Sequence, residues 1–176
     1  MRRRLICTAA LSIIAAPVVA VAQNPLADAL RATEAQEGRN LVAAAEEMPA
    51  DKYGYKPTPA QMSFGQIVVH LSGGNDALCG TISGVKPPTR TKVTTADSKD
   101  MLVARLKESF EFCHNSLAGL TDADLGREVS VFGQKFTLAR LEMVAVGDWA
   151  DHYSQVSNYL RINGLLPPTA KKQAEK

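Results

Sequence analysis

The sequence predicts an all-α protein, an antiparallel four-helix bundle with one long connection and a short extended excursion before its last helix. Apolar residues recur at three- and four-residue intervals through four segments, as one buried helical face requires. Helix-capping residues stand where that periodicity begins, and Gly or Pro stands where it ends. With 176 residues, the chain is long enough for one domain with a sizeable core.

The first segment, residues 1–22, reads as a secretory signal and not as part of the fold. Arg2, Arg3 and Arg4 form its charged end, Leu5 to Val19 its apolar run, and Ala20-Val21-Ala22 its small-residue cleavage site. Cys7 belongs to this segment. The folded domain is expected over residues 23–170, followed by a basic tail, 171–176.

Helix one is expected from Pro25 to Met48, a stretch rich in Ala, Leu, Glu and Arg with proline in the first turn. Leu30, Leu41, Ala45 and Met48 share a face. Glu34 and Glu37 fall in the same row, so either the helix is irregular near Gly38 or an acid points inward; the irregular or solvent-exposed arrangement is the expected one, with Glu37 an outside candidate for an extra ligand or base. Asp51 to Gln61 carries Gly54, Pro57 and Pro59 and is expected to be a loop.

Ser63-Phe64-Gly65-Gln66 is a capping box that opens helix two. Phe64, Ile67, Leu71, Leu78 and Ile82 form its stripe, and Gly84, Pro87 and Pro88 end it. His70 lies on the flank of the stripe. The Lys86 to Ser98 connection, rich in Pro, Thr and Lys, is expected to be mobile. Asp97 or Ser98 then caps helix three, with Leu102, Leu106, Cys113, Leu117 and Leu120 inward and His114 exposed on its flank. Leu125 to Phe136, with alternating Val129 and Val131 and a Phe132-Gly133 turn, is the extended excursion.

Thr137 caps helix four, which runs to Arg161 before Gly164 and Pro167-Pro168. Leu141, Ala145, Asp148, His152, Val156 and Tyr159 occupy one face of it. Asp148 and His152 thus sit in an apolar stripe, where an ionisable group without a partner costs several kcal/mol. They could hydrogen-bond each other, lie in water at the bundle rim, or hold a cation with a third ligand from another helix. The pair alone favours the first two, and the catalytic Glu of an HExxH motif is absent.

Removing the signal changes 20 basic and 18 acidic residues to 17 and 18, a net charge of about −1. Nothing in that balance favours nucleic acid or a stable membrane association. Cys79 and Cys113 remain, and an exported compartment permits them to pair. Cys113 on its stripe also reads as a small buried hydrophobe, while Cys79 lies off the main stripe.

Met48-Pro49-Ala50-Asp51-Lys52-Tyr53, Lys56-Pro57-Thr58-Pro59 and Ser63 to His70 resemble the first loop and second helix of the DinB/YfiT-like family of small four-helix proteins. His152-Tyr153-Ser154-Gln155, Tyr159-Leu160-Arg161 and Asn163 to Pro168 resemble its last helix. The resemblance covers nearly all of the chain after the signal. It implies a divalent metal (Zn, Ni, Mn or Fe) held between helices two and four, and His70, Asp148 and His152 occupy the family's ligand positions. Asp148 stands where His is usual, and Ser154 where Gly is usual. Two imidazoles and a carboxylate are a familiar divalent donor set that leaves positions open. Gln66 and Gln155 are placed to hydrogen-bond the ligands.

The implied function is an exported metal-dependent hydrolase or thiol-dependent transferase with a small-molecule substrate, in the periplasm or otherwise secreted. Export argues against low-molecular-weight thiol chemistry. The alternative is a non-catalytic exported metal- or ligand-binding stress-response bundle. The family also implies pairing as a homodimer.

Overall fold

In the computed structural model, residues 23–131 and 133–174 are described; the expected signal segment and Phe132 of the expected turn lie outside them. Four long helices dominate: α1 (Pro25–Glu47), α2 (Phe64–Ser83), α3 (Lys99–Leu117) and α4 (Leu138–Ile162). A hairpin of β1 (Glu128–Val131) and β2 (Gln134–Thr137) forms the excursion before α4, paired antiparallel from Glu128 opposite Thr137 to Val131 opposite Gln134. After Pro167, a short helix α5 (Pro168–Ala174) takes up most of the expected tail, an element the sequence reading lacked. Tyr153 and Thr169 exchange hydrogen bonds that tie α5 to α4, and Lys171 pairs with Glu47 Oε2 at 2.5 Å. No helix among the described residues is long and apolar enough to cross a membrane.

The helix starts follow local chemistry. Ser63 Oγ accepts from the Gln66 amide while Gln66 Oε1 accepts from the Ser63 amide at 2.7 Å. Ser98, not Asp97, caps α3, and Thr137 caps α4. Gly84 and Gly164 end α2 and α4 at φ of 77° and 76°, a left-handed conformation that costs glycine little.

Each of α1 and α2 packs against both α3 and α4. Contacts between Ser72 and Arg105, Asn75 and Ser109, and Cys79 and Cys113 advance together along α2 and α3, so these two helices are parallel. The long connection is the crossover that makes this possible; α1 and α4 run the opposite way. This connection, expected to be mobile, is tied to α3 near its start. Arg90 clips it down, donating to Glu108 Oε2 at 2.6 Å and the Glu108 carbonyl at 3.0 Å. Pro87 packs so closely on Gly80 that a β-carbon there would lie 2.9 Å from the proline ring.

The core contains the four predicted stripes, including Leu41, Ile67, Leu71, Leu106, Leu117 and Leu141. At roughly 1.5–3 kcal/mol per large apolar side chain buried, this common interior is what holds the helices together. Two sequence expectations need correction, and the cysteine pairing that the sequence left open is resolved. The helix α1 is unbroken at Gly38, which instead allows a close approach: a β-carbon there would lie 2.9 Å from the Phe110 ring of α3. Glu34 is buried, and His114, although itself exposed, approaches its carboxylate to 3.5 Å. Burial pushes the Glu34 pKa up, more than His114 and Arg39 pull it down. Cys79 is fully buried and bonded to Cys113, with Cα atoms 5.1 Å apart, which staples α2 to α3.

Candidate metal centre

The antiparallel packing of α2 on α4 brings His70 opposite Asp148 and His152, residues separated by 78 and 82 positions in the chain. Asp148 and His152 are one turn apart on α4, so their side chains project together. Asp148 Oδ1 lies 3.4 Å from His70 Nε2 and 3.4 Å from His152 Nε2. The two imidazoles meet edge to face, with centroids 4.8 Å apart. Among the described residues, this is the group of three or more His, Cys, Asp and Glu able to close on one ion, every pair of ligand atoms lying within 4.8 Å. All three predicted ligands are therefore together.

The centre is asymmetric. Side-chain exposure falls from 47% at His70 to 23% at Asp148 and 7% at His152, so it opens to solvent on the α2 side and closes into the core on the α4 side.

Two contacts hold α4 in register on either side of the ligands. Trp149, fully buried beside Asp148, donates its indole N–H to Asn75 Oδ1 at 2.8 Å. Asn75 donates in turn to Ser109 Oγ at 3.0 Å, which links α2, α3 and α4. Two turns beyond His152, the Tyr159 hydroxyl donates to the Met62 carbonyl at 2.9 Å, just before α2. Asn75 is the positioning residue that the sequence reading missed. Its signal was present, since Asn75 interrupts the Leu71 to Leu78 stripe at helical spacing just as Asp148 interrupts that of α4.

Electrostatics prepare the ligands unequally. Burial pushes the Asp148 carboxyl up, but hydrogen bonds and charge from His152 and then His70 outweigh it, leaving the pKa below the ordinary value. Burial likewise opposes the His152 cation, and the Asp148 carboxylate, helped by Gln155 and Asp151, reverses this to raise its pKa. Asp148 is thus anionic at neutral pH, and a cation entering the centre competes with a proton on His152.

The separations about Asp148 suit a stretched hydrogen-bonded ion pair and a shared ligand site alike. Charge-assisted N–H···O bonds close to about 2.7–2.9 Å. Two donors held about 2.1 Å from one tetrahedrally coordinated ion lie roughly 3.4 Å apart, as both imidazoles do from Asp148. His152 Nδ1 is buried, and Gln155 is the polar side chain beside it. These residues fit a divalent ion, and the donor set suits zinc, nickel, manganese or iron.

The expected supporting residues fare differently. Gln66 is spent on the α2 cap and does not serve His70. Gln155 lies beside His152 and donates to Asp151 at 2.6 Å. Glu37 is not among the converging ligands; its contact is with the neighbouring Gln36.

Comparison with known proteins bears on fold and family. A crystal structure of a DinB-like protein from Bacillus subtilis matches with a TM-score of 0.63 and 24% identity, over 77% of this chain and 92% of that one. A DinB-like protein from Bacillus cereus matches with a TM-score of 0.67 and 17% identity, over 80% of this chain and 95% of that one. No functionally curated protein matches. The DinB superfamily model matches residues 33–156, a span that contains all three converging ligands and the Asn75–Trp149 contact that positions them, and the chain belongs to that superfamily.

Proposed function

We propose that this protein is an exported metalloprotein that binds one divalent cation through His70, Asp148 and His152 and acts as a hydrolase on a small-molecule substrate. The reading rests on the convergence of two imidazoles and one carboxylate from α2 and α4, with each imidazole 3.4 Å from Asp148, a separation suited to shared ligation. A bound divalent cation would supply Lewis acidity, polarising a carbonyl or lowering the pKa of a water. His152 forms the buried wall of the centre and Asp148 supplies its negative charge. His70, nearly half exposed, borders the side from which a substrate can approach.

Export is supported by the signal-like residues 1–22 and by the Cys79–Cys113 disulfide, a linkage favoured in oxidising compartments. That location places hydrolysis ahead of a transfer reaction drawing on intracellular thiols.

The test is elemental analysis of untagged protein beside His70→Ala and His152→Ala, followed by reconstitution with zinc, nickel, manganese and iron. The expected result is one equivalent of metal in the unsubstituted chain and affinity at least about 100-fold weaker in each variant, since loss of a ligand costs more than loss of its supporting hydrogen bond. An ester and amide substrate panel with the loaded protein then tests hydrolysis. No metal after reconstitution would overturn the reading, and one equivalent of metal without turnover would leave a binding protein.

A further inference from the structure

On another face of the bundle, α1 and α4 line a cleft of about 310 Å³, with Leu125 also on its wall. Its walls are almost wholly apolar, with Leu26 and Leu30 from α1 and Met143 and Val146 from α4. Leu26 is 58% and Met143 70% exposed, so the rim presents hydrocarbon to solvent. One ionisable group lines this surface. Glu142 is only 6% exposed, and its Oε1 has no hydrogen-bond partner among the described residues.

Burial keeps this carboxyl protonated up to about pH 7, and once ionised above that it calls for a cation that Arg31 supplies only in part. Arg31 influences Glu142, but its guanidinium is committed to the carbonyls of Leu117 and Leu120 and to Asp28. Asp122, the other charged group acting on Glu142, adds negative charge. Its own carboxylate accepts the Leu26 and Ala27 amides at the start of α1. The cleft thus combines an apolar wall with one buried carboxylate that has an oxygen lacking an internal partner. At the small end of the roughly 300–1,000 Å³ range of ligand sites, it suits a compact molecule.

We propose that this cleft is a second binding site, separate from the candidate metal centre, for a small apolar monoamine whose ammonium pairs with the Glu142 carboxylate while its hydrocarbon lies against Leu26, Leu30, Leu125 and Val146. The ammonium completes the charge pairing, and the hydrocarbon covers the exposed rim. A neutral alcohol of the same shape gains the apolar contact but not the charge. The metal centre takes no part, so His152→Ala leaves amine binding unchanged.

The test is isothermal titration calorimetry with cyclohexylmethylamine and with cyclohexylmethanol, in the presence of a chelator so that ligation to metal does not contribute. The amine is expected to bind saturably and at least about tenfold more tightly than the alcohol, the order of a charge-assisted hydrogen bond. Glu142→Gln should abolish that preference. Ala29→Trp, at an exposed position on the cleft wall, should block both ligands without disturbing the core. Absence of saturable amine binding, equal affinity for the two ligands, or a full amine preference in Glu142→Gln would overturn the proposal. So would unchanged amine binding in Ala29→Trp, a result that remains decisive even if Glu142→Gln fails to fold.

Discussion

Replacing Glu142 by Gln should change how stability depends on pH, in a direction set by the cleft. Burial is the larger cause and Asp122 the second; together they outweigh Arg31 and push the Glu142 pKa from its ordinary 4.5 to about 7. Between those values the folded chain holds more protons than the unfolded chain. Stability from this group is therefore complete below about pH 4.5, declines as pH rises, and is lost above about pH 7. At 1.36 kcal/mol per pKa unit, the decline amounts to about 3 kcal/mol.

Gln does not titrate, so Glu142→Gln should gain about 3 kcal/mol relative to the parent between pH 4.5 and pH 8. The gain is the difference between two urea-unfolding series run with a chelator present; in melting temperature it corresponds to roughly 6–12 °C. Other titrating groups, including Glu34, are common to both chains and cancel in the difference. Parallel stability profiles for parent and variant would refute the reasoning, because they would mean that Glu142 ionises in the fold as readily as in the unfolded chain.

Two further variants test what positions the candidate metal site and what staples α2 to α3. Asn75→Ala leaves the Trp149 N–H buried without its acceptor and Ser109 without its donor, so thermal unfolding should report a loss of about 2–4 kcal/mol; an unchanged melting temperature would remove Asn75 from its positioning role. Replacing both Cys79 and Cys113 by Ser opens a link across 34 positions, and the chain-entropy relation gives a loss of about 4 kcal/mol; equal urea midpoints for the parent with and without reductant would contradict it.

Much of the candidate metal site was legible because Asp148 and His152 break an apolar stripe at helical spacing. Their i, i+4 relation is local, and any helix over that segment brings them together. His70 was different. Its flank position did not distinguish it from an ordinary surface histidine, and it joined the site only through resemblance to a family. The same stripe argument, applied to Asn75 between Leu71 and Leu78, would have exposed the contact that positions Trp149. For Glu34 and Glu142 it gives no partner, because what makes them unusual is how deeply neighbouring helices bury them.

By itself, the sequence determined what depends on neighbours a few residues away: four helices, the caps at Ser63 and Thr137, the stops at Gly84 and Gly164, and the extended excursion before the last helix. These follow from periodicity, side-chain hydrogen bonds and backbone freedom within one or two turns. Tertiary structure decided which helices run parallel, that Cys79 meets Cys113, that Arg90 clips the crossover, and that His70 comes within 3.4 Å of Asp148. Each of these is a distance between segments far apart in the chain, set by how whole apolar faces pack and not by the residues beside it.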